Sequence, residues 1–207
     1  MYFNRRCKIT FISHGATIYS EEWRFSDANN YPPLSDLGFE EIRNVVNYLK
    51  TRAVKNDVIY SSPSVRAQQS AQIISKLFKQ DYETIDSLTS RKCGSWNGLT
   101  YAQIIEKYPN GISEALADLE LENKFGGECT PEFITRIKTE IDKLVEENLG
   151  NRIIIVTHPD IIEAAICAAL NIDANNLLKF YIRTGSVTQI SYYENWSSLM
   201  YCGHVPL

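Results

Sequence analysis

The chain has 207 residues, 44% of them hydrophobic, which is enough apolar material for one buried core without help from a metal or a disulfide frame. Its formal net charge is −4 and it contains no Lys/Arg run, so a nucleic-acid or other polyanion-binding surface is not expected. No stretch approaches the length of a membrane span, and the charged start (Arg5, Arg6, Lys8) lacks the apolar core of a signal peptide; no membrane association and a cytoplasmic location are the expectations.

Ile9, Phe11 and Ile12 make a short β-prone run that Ser13-His14-Gly15 breaks. This predicts His14 at the carboxyl end of a first strand, where open α/β sheets bind ligands. Gly15 lets a ligand and the backbone approach closely. A histidine so placed can be a nucleophile, a base or a metal ligand, but taken alone it is more simply a core residue.

The polar and aromatic segment from Glu21 to Pro33 reads as a loop over the end of that strand. Ser35 then caps a helix whose buried stripe is Ile42, Val45, Val46 and Leu49. A short strand, Asp57 to Tyr60, opens into Ser61-Ser62-Pro63-Ser64-Val65-Arg66-Ala67. Here serines are expected at a helix cap and Pro63 in the first turn, with Ala67, Ala71, Ile74 and Phe78 on one face. The uncommitted amides of such a start favour an anion, and Arg66, one turn inside, adds a forked donor. A solvated or ion-paired helix arginine is the plainer account of Arg66 by itself.

Tyr82 to Ile85 reads as a further short strand, Gly94 to Leu99 as a turn, and Tyr101 to Tyr108 as a helix ended by Pro109. A second helical piece is expected over Gly111 to Leu121, and Gly126-Gly127-Glu128 closes an excursion that begins at Leu88. Such excursions commonly form a lobe over a site. Thr130 starts a long amphipathic helix with Phe133, Ile137, Ile141 and Leu144 inward. The run Ile153-Ile154-Ile155-Val156 has the continuous apolar signature of a strand covered on both faces, and it too ends in a histidine, His158. Pro159 suits the first turn of the next helix, which Ile161, Ile162, Ala165, Ile166, Ala169 and Leu170 continue. Leu178 to Ile182, Val187 to Tyr193 and Ser198 to Tyr201 alternate as strands do.

Cys7, Cys93, Cys129, Cys167 and Cys202 are scattered and never form Cys-x-x-Cys, so neither disulfides nor a structural zinc site is suggested. Of three histidines, two stand at the same point of two strand-to-loop transitions. A shared site is the better account of that pairing. The alternation of strand and helix predicts an α/β fold, a parallel or mixed sheet with helices on both faces. Two imidazoles and a guanidinium near one edge suit a phosphate ester: one imidazole attacks phosphorus while the other groups hold the charge on its oxygens.

Ile-Ser-His-Gly-Ala-Thr, Tyr-Ser-Ser-Pro-Ser-Val-Arg-Ala-Gln-Gln-Ser-Ala, Gly-Ser-Trp-Asn-Gly-Leu-Thr, Gly-Gly-Glu and Val-Thr-His-Pro follow one another from Ile9 to about Ser191. In order and spacing they resemble the successive signatures of the histidine phosphatase superfamily, the phosphoglycerate mutase-like proteins. The resemblance implies a single three-layer αβα sandwich with a mostly parallel sheet, spanning residues 1–207, with an inserted lobe at about 88–127. It implies no cofactor and no obligatory metal. It also implies His14 as the residue that becomes phosphorylated, Arg66 and His158 as its catalytic partners, and Ser13, Gly15, Arg66 and His158 around the phosphate.

Two departures bear on activity. The family's Arg-His-Gly is Ser13-His14-Gly15 here, and the position that aligns with a proton-donating glutamate is Ser90. Smaller ones are Pro159 for a usual glycine and Thr184 for a frequent asparagine. A lost hydrogen bond to a charged group costs about 1.5 to 3 kcal/mol; a lost general acid costs about 10² to 10⁴ in rate. Uncompensated and independent, the two lower turnover by about 10³ to 10⁶. Asp160 is the first candidate for a replacement acid, since distant branches use an aspartate directly after the second histidine; Glu128 and Glu22 follow it. Arg91, Arg24 and Lys92 are candidates for the missing cation. Two readings stand: a histidine-type phosphomonoesterase, weak or narrow in specificity, acting on a phosphorylated small molecule, and a pseudophosphatase that binds a phosphorylated metabolite or partner. The retained His14 favours the first, the two missing side chains the second, and hydrolysis is expected over mutase chemistry. A homodimer is the default oligomer.

Overall fold

The computed structural model describes residues 5–27, 32–110 and 126–207. Its strands are β1 (Arg5–Ser13), β2 (Val58–Ser61), β3 (Glu83–Thr84), β4 (Arg152–Thr157), β5 (Val187–Tyr193) and β6 (Ser197–His204). The helices are α1 (Ile18–Glu21), α2 (Asp36–Thr51), α3 (Val65–Phe78), α4 (Tyr101–Lys107), α5 (Thr130–Glu147) and α6 (Pro159–Leu170). The strands form one sheet in the order β3-β2-β4-β1-β5-β6. β1 to β4 run parallel, while β5 is antiparallel to both β1 and β6.

β4 is apolar throughout because it is covered twice. Ile153 and Ile155 face a cluster with Ile9 and Phe11 of β1 and with Phe133, Ile137, Ile162 and Ile166 of α5 and α6. Ile154 and Val156 face the other cluster, with Ile12, Ile59 and, from α2 and α3, Ile42, Val45, Leu49 and Ile74. Each such buried side chain contributes about 1.5 to 3 kcal/mol relative to exposure. The layers are therefore α5 and α6, the sheet, then α2 and α3, an αβα arrangement.

The register of β1 on β4 is what builds the site. Residues pair from Lys8 with Arg152 to Ser13 with Thr157, so both strands end at the same level. The residues that follow, His14 and His158, leave the sheet side by side, and the His14 amide donates to the Thr157 carbonyl at 2.9 Å.

Three sequence expectations are corrected. Leu178 to Ile182 is not a strand: Ala174–Lys179 is a 3-10 helix. Ile182 lies beyond that helix and is buried in the core cluster of α5 and α6, with Phe180 packed against it, so the apolar spacing there fills the core without forming a pleat, and β5 already has a neighbour on each side. Pro63 is not in the first turn of α3, whose cap is Ser64. Arg66 accordingly sits in that first turn, and not a full turn further in. The helical piece expected over Gly111 to Leu121 lies outside the described residues. The rest of that excursion holds 3-10 turns at Asp86–Leu88 and Gly94–Trp96 and then α4.

Candidate active site

His14 is 6% exposed, and its surroundings assign its tautomer. Nδ1 lies 2.8 Å from the Gly15 carbonyl, which can only accept, so Nδ1 carries the proton. Nε2 keeps its lone pair and accepts from Nε of Arg66 at 3.2 Å. Burial, then the Arg66 charge, lowers the His14 pKa to about 3, against a smaller opposing contribution from the Gly15 carbonyl. The ring is thus a neutral base whose one lone pair accepts from the guanidinium beside it.

His158 stands 5.1 Å away, edge to face at 70°. Its Nε2 meets the hydroxyls of Ser62 at 2.8 Å and Ser64 at 3.3 Å. Ser64, at the cap position of α3, makes no side-chain cap bond; its hydroxyl serves the imidazole instead. Nδ1 of His158 is buried and has no hydrogen-bond partner among the described residues. Burial, Arg66 and His14 in that order hold the His158 pKa well below its usual value.

The loop that carries His14 is held from beneath. The Gly15 amide donates to Ser70 Oγ at 3.2 Å, the Ala16 amide to Glu41 at 2.7 Å, and the same carboxylate accepts from the Thr184 hydroxyl at 3.0 Å. A Cβ on Gly15 would lie 2.3 Å from the Gly38 carbonyl oxygen, and one on Gly38 would lie 2.1 Å from that of Ala16. The loop and the start of α2 therefore interlock through two glycines. On the far side the Gly185 amide donates to the His14 carbonyl at 2.9 Å.

A cavity of about 380 Å³ opens over this floor, walled in part by Arg66, Asp160, Thr184, Phe25, Cys93 and Trp96. Asp27, 1% exposed, fixes that wall by accepting from the Cys93 amide at 3.0 Å and from Asn97 at 2.8 Å. Asp160 reaches the cavity with its carboxylate engaged: Ser90 Oγ donates at 2.8 Å and the Arg91 amide at 2.7 Å to Oδ2, and its neighbour Ile161 donates at 2.9 Å to Oδ1.

Of the residues singled out in the sequence, His14, His158, Arg66 and Asp160 come together at this cavity. Ser13 does not: its side chain is fully buried and its hydroxyl has no hydrogen-bond partner among the described residues. Gly15 spends its amide on Ser70. Glu128 is gripped by both arms of Arg136 at 2.7 Å each, and Glu22 is paired with Arg24. Arg91 lines the cavity, but its Nε donates to the Glu128 carbonyl and its guanidinium lies 5.7 Å over Phe133. Lys92 lines the cavity from an exposed position. Sequence reasoning missed Ser62, Ser64, Ser70, Asp27 and Glu41. Only the crowding of serines in Ser61 to Ser64 hinted at any of them, and a capping role was the simpler inference. Among the described residues there is no cluster that could hold a metal, and no helix is long and apolar enough to cross a membrane.

The sequence profile of the histidine phosphatase superfamily (branch 1) matches residues 9–202. A bifunctional protein of Mycobacterium tuberculosis is 26% identical over 191 residues, 92% of this chain; the chain spans about half that relative's length, 52%. Phosphoserine phosphatase 1 of Hydrogenobacter thermophilus is 22% identical over 173 residues, 84% of this chain and 81% of that protein. Among solved structures, an α-ribazole phosphatase from Shigella flexneri superposes with a TM-score of 0.84 at 20% identity, over 97% of this chain and 98% of the other. The mycobacterial glucosyl-3-phosphoglycerate phosphatase gives 0.83 at 22%, over 96% and 99%. These likenesses establish a shared fold.

Proposed function

Because the chain belongs to the histidine phosphatase superfamily, we propose that it hydrolyses a phosphomonoester of a small molecule through a phosphohistidine on His14. Residues 1–207 act as one domain, with the excursion at 88–127 as its lobe and the cytoplasm as its location. In the first step Nε2 of His14 forms a bond to phosphorus as the bond to the ester oxygen breaks. The Nδ1 proton, held by the Gly15 carbonyl, steadies the ring as it becomes cationic. Arg66 moves its donor from Nε2 to a phosphoryl oxygen, and the partnerless Nδ1 of His158 serves a second oxygen. In the second step water attacks phosphorus, the P–N bond breaks, and inorganic phosphate leaves. Asp160 is the proposed carrier of the proton: it takes one from the substrate's phosphate monoanion and passes it to the departing oxygen, and in the second step it takes one from the attacking water.

The observation that carries this reading is the state of His14: a buried neutral imidazole whose one lone pair accepts from a guanidinium in an open cavity. A core histidine needs no such arrangement. The pseudophosphatase reading draws on a different observation. Arg91 does not fill the place of the missing arginine, since Ser13 is sealed off and Arg91 is turned toward Glu128 and Phe133.

One comparison separates the two. The protein and His14→Ala are assayed with an aryl phosphate, whose leaving group needs no proton, and an alkyl phosphate, whose leaving group does; the wild type is also denatured rapidly during turnover to trap phosphohistidine. Turnover that depends on His14, with a trapped adduct, supports the phosphatase. Binding of phosphate esters without turnover or adduct overturns it in favour of the binder.

A further inference from the structure

The charged groups around the cavity are unevenly committed. Among the described residues, Asp160, the carboxylate that lines it, is taken up by Ser90 and two amides, while Asp27 is held by the Cys93 amide and Asn97 and Glu128 by Arg136. Of the cations that line it, Arg66 belongs to His14, Arg91 donates to the Glu128 carbonyl, and Arg24 is tied to Glu22, Gly98 and Gln103. The ammonium of Lys92 has no ion-pair or hydrogen-bond partner among the described residues, although Lys92 lines the same cavity. The site therefore has spare positive charge beyond what the two imidazoles and Arg66 present to one phosphate.

The rest of the wall is apolar and already ordered. Phe25 meets Trp96 edge to face at 5.7 Å and stacks on Tyr101 at 5.9 Å. Trp96 and Ile104 form a small buried cluster of their own, with Phe25, Cys93, Leu99 and Tyr108 packed against it. Two backbone bonds, from the Phe25 amide to Leu99 and from the Gly98 amide to Phe25, lock the two loops together. Such a prebuilt surface binds a flat group without ordering cost. A cavity of about 380 Å³ also holds far more than a phosphate.

Resting on the phosphomonoesterase reading, we propose that the substrate carries, besides its phosphate, a flat apolar group against Phe25 and Trp96 and a second anionic group at Lys92. Small, wholly polar phosphate esters are poor occupants of this wall, and cationic ones are repelled.

Phosphonates test this apart from turnover, because their C–P bond is not hydrolysed. Calorimetry gives the Kd of ethylphosphonate, phenylphosphonate and 4-carboxyphenylphosphonate for the full chain and for Lys92→Glu. The wild type is expected to bind the phenyl compound at least about tenfold tighter than the ethyl compound through ring burial. The carboxylate should add about fivefold, the scale of a partly exposed ion pair. In Lys92→Glu the carboxylate preference should reverse while the preference for the ring persists. Equal affinity for phenyl and carboxyphenyl compounds in the wild type, or a carboxylate preference that survives Lys92→Glu, overturns the second anionic group. Equal affinity for ethyl and phenyl compounds overturns the flat apolar group. The phosphatase reading fails separately, by absence of His14-dependent turnover of any ester while these affinities stand.

Discussion

Ser90 donates its hydroxyl to Oδ2 of Asp160 at 2.8 Å, joining positions 70 residues apart. Ser90 is where the resemblance implies a proton-donating glutamate. Beside it stands a carboxylate that arrives from the first turn of α6. Asp160 is the proton carrier proposed above, and it lines the cavity.

Asp160→Asn tests that proposed role. The expected loss in kcat is about 10² to 10⁴ for an alkyl phosphate and less than about tenfold for an aryl phosphate. Ser90→Ala, which removes one donor from the carboxylate, should cost about tenfold or more with the alkyl ester. Equal losses on both esters in Asp160→Asn would assign Asp160 a role in folding or binding and remove it from proton transfer.

The protonation of His14 can be read directly. With a pKa of about 3, its ring should stay neutral from pH 8 down to about 4, seen as unchanged imidazole nitrogen shifts in the labelled protein. Arg66→Gln removes the second cause of the depression and should raise the value, without restoring it fully because burial is the larger cause. A titration near 6.5 in the wild type would contradict the buried, Arg66-capped ring.

Glu163, one turn beyond Asp160 on α6, gives a stability prediction of definite sign. Burial, then the Asp160 charge, pushes its pKa up to about 8, against a backbone hydrogen bond from Ile182. Between pH 4.5 and 8 the folded protein holds a proton that the unfolded chain has released, so this group's contribution to stability falls as pH rises through that window. Glu163→Gln should accordingly match the wild type below pH 4.5 and gain on it above, by up to about 1.4 kcal/mol per pH unit until pH 8. Urea unfolding of both proteins at pH 4.5, 6 and 7.5 measures the difference; a gap that does not widen with pH would refute the half-buried neutral carboxyl.

Glu41 is far from the cavity floor in sequence, yet it joins the Ala16 amide to the Thr184 hydroxyl. Glu41→Gln can keep both contacts, accepting from the amide with its oxygen and donating to the hydroxyl with its nitrogen. Glu41→Leu keeps neither. Turnover and thermal midpoint should be largely retained in the first variant, and in the second reduced by the equivalent of about 1.5 to 3 kcal/mol for each charged bond lost. Failure of glutamine to rescue would mean that the charge, and not the bridge, is what matters.

Gly38→Ala should be as damaging as Gly15→Ala, because each methyl would strike backbone of the other segment at 2.1 to 2.3 Å. A cost of about 1 to 3 kcal/mol or more is expected, with loss of activity from displacement of the His14 loop. Wild-type stability in Gly38→Ala would show that the two segments can separate cheaply.

Local pattern by itself determined the αβ alternation and the strand ends at His14 and His158. Strand β4 was legible because Ile153 to Val156 must be covered on both faces, and the start of α6 because proline suits a first turn. Even the pairing of two histidines could be inferred, since two parallel strands that end alike bring their next residues together. Leu178 to Ile182 misled because alternation does not distinguish a strand from an irregular segment after a 3-10 helix that packs Phe180 and Ile182 on the core. What the tertiary structure alone decided were contacts between distant segments: Asp160 with Ser90, Glu41 with Ala16 and Thr184, Gly15 against Gly38, and Ser62 and Ser64 on His158. Hydrogen bonds and close backbone approaches have no period along a chain. They depend on which loops the sheet order and register bring to one edge, and only there do Ser90 and Asp160 meet.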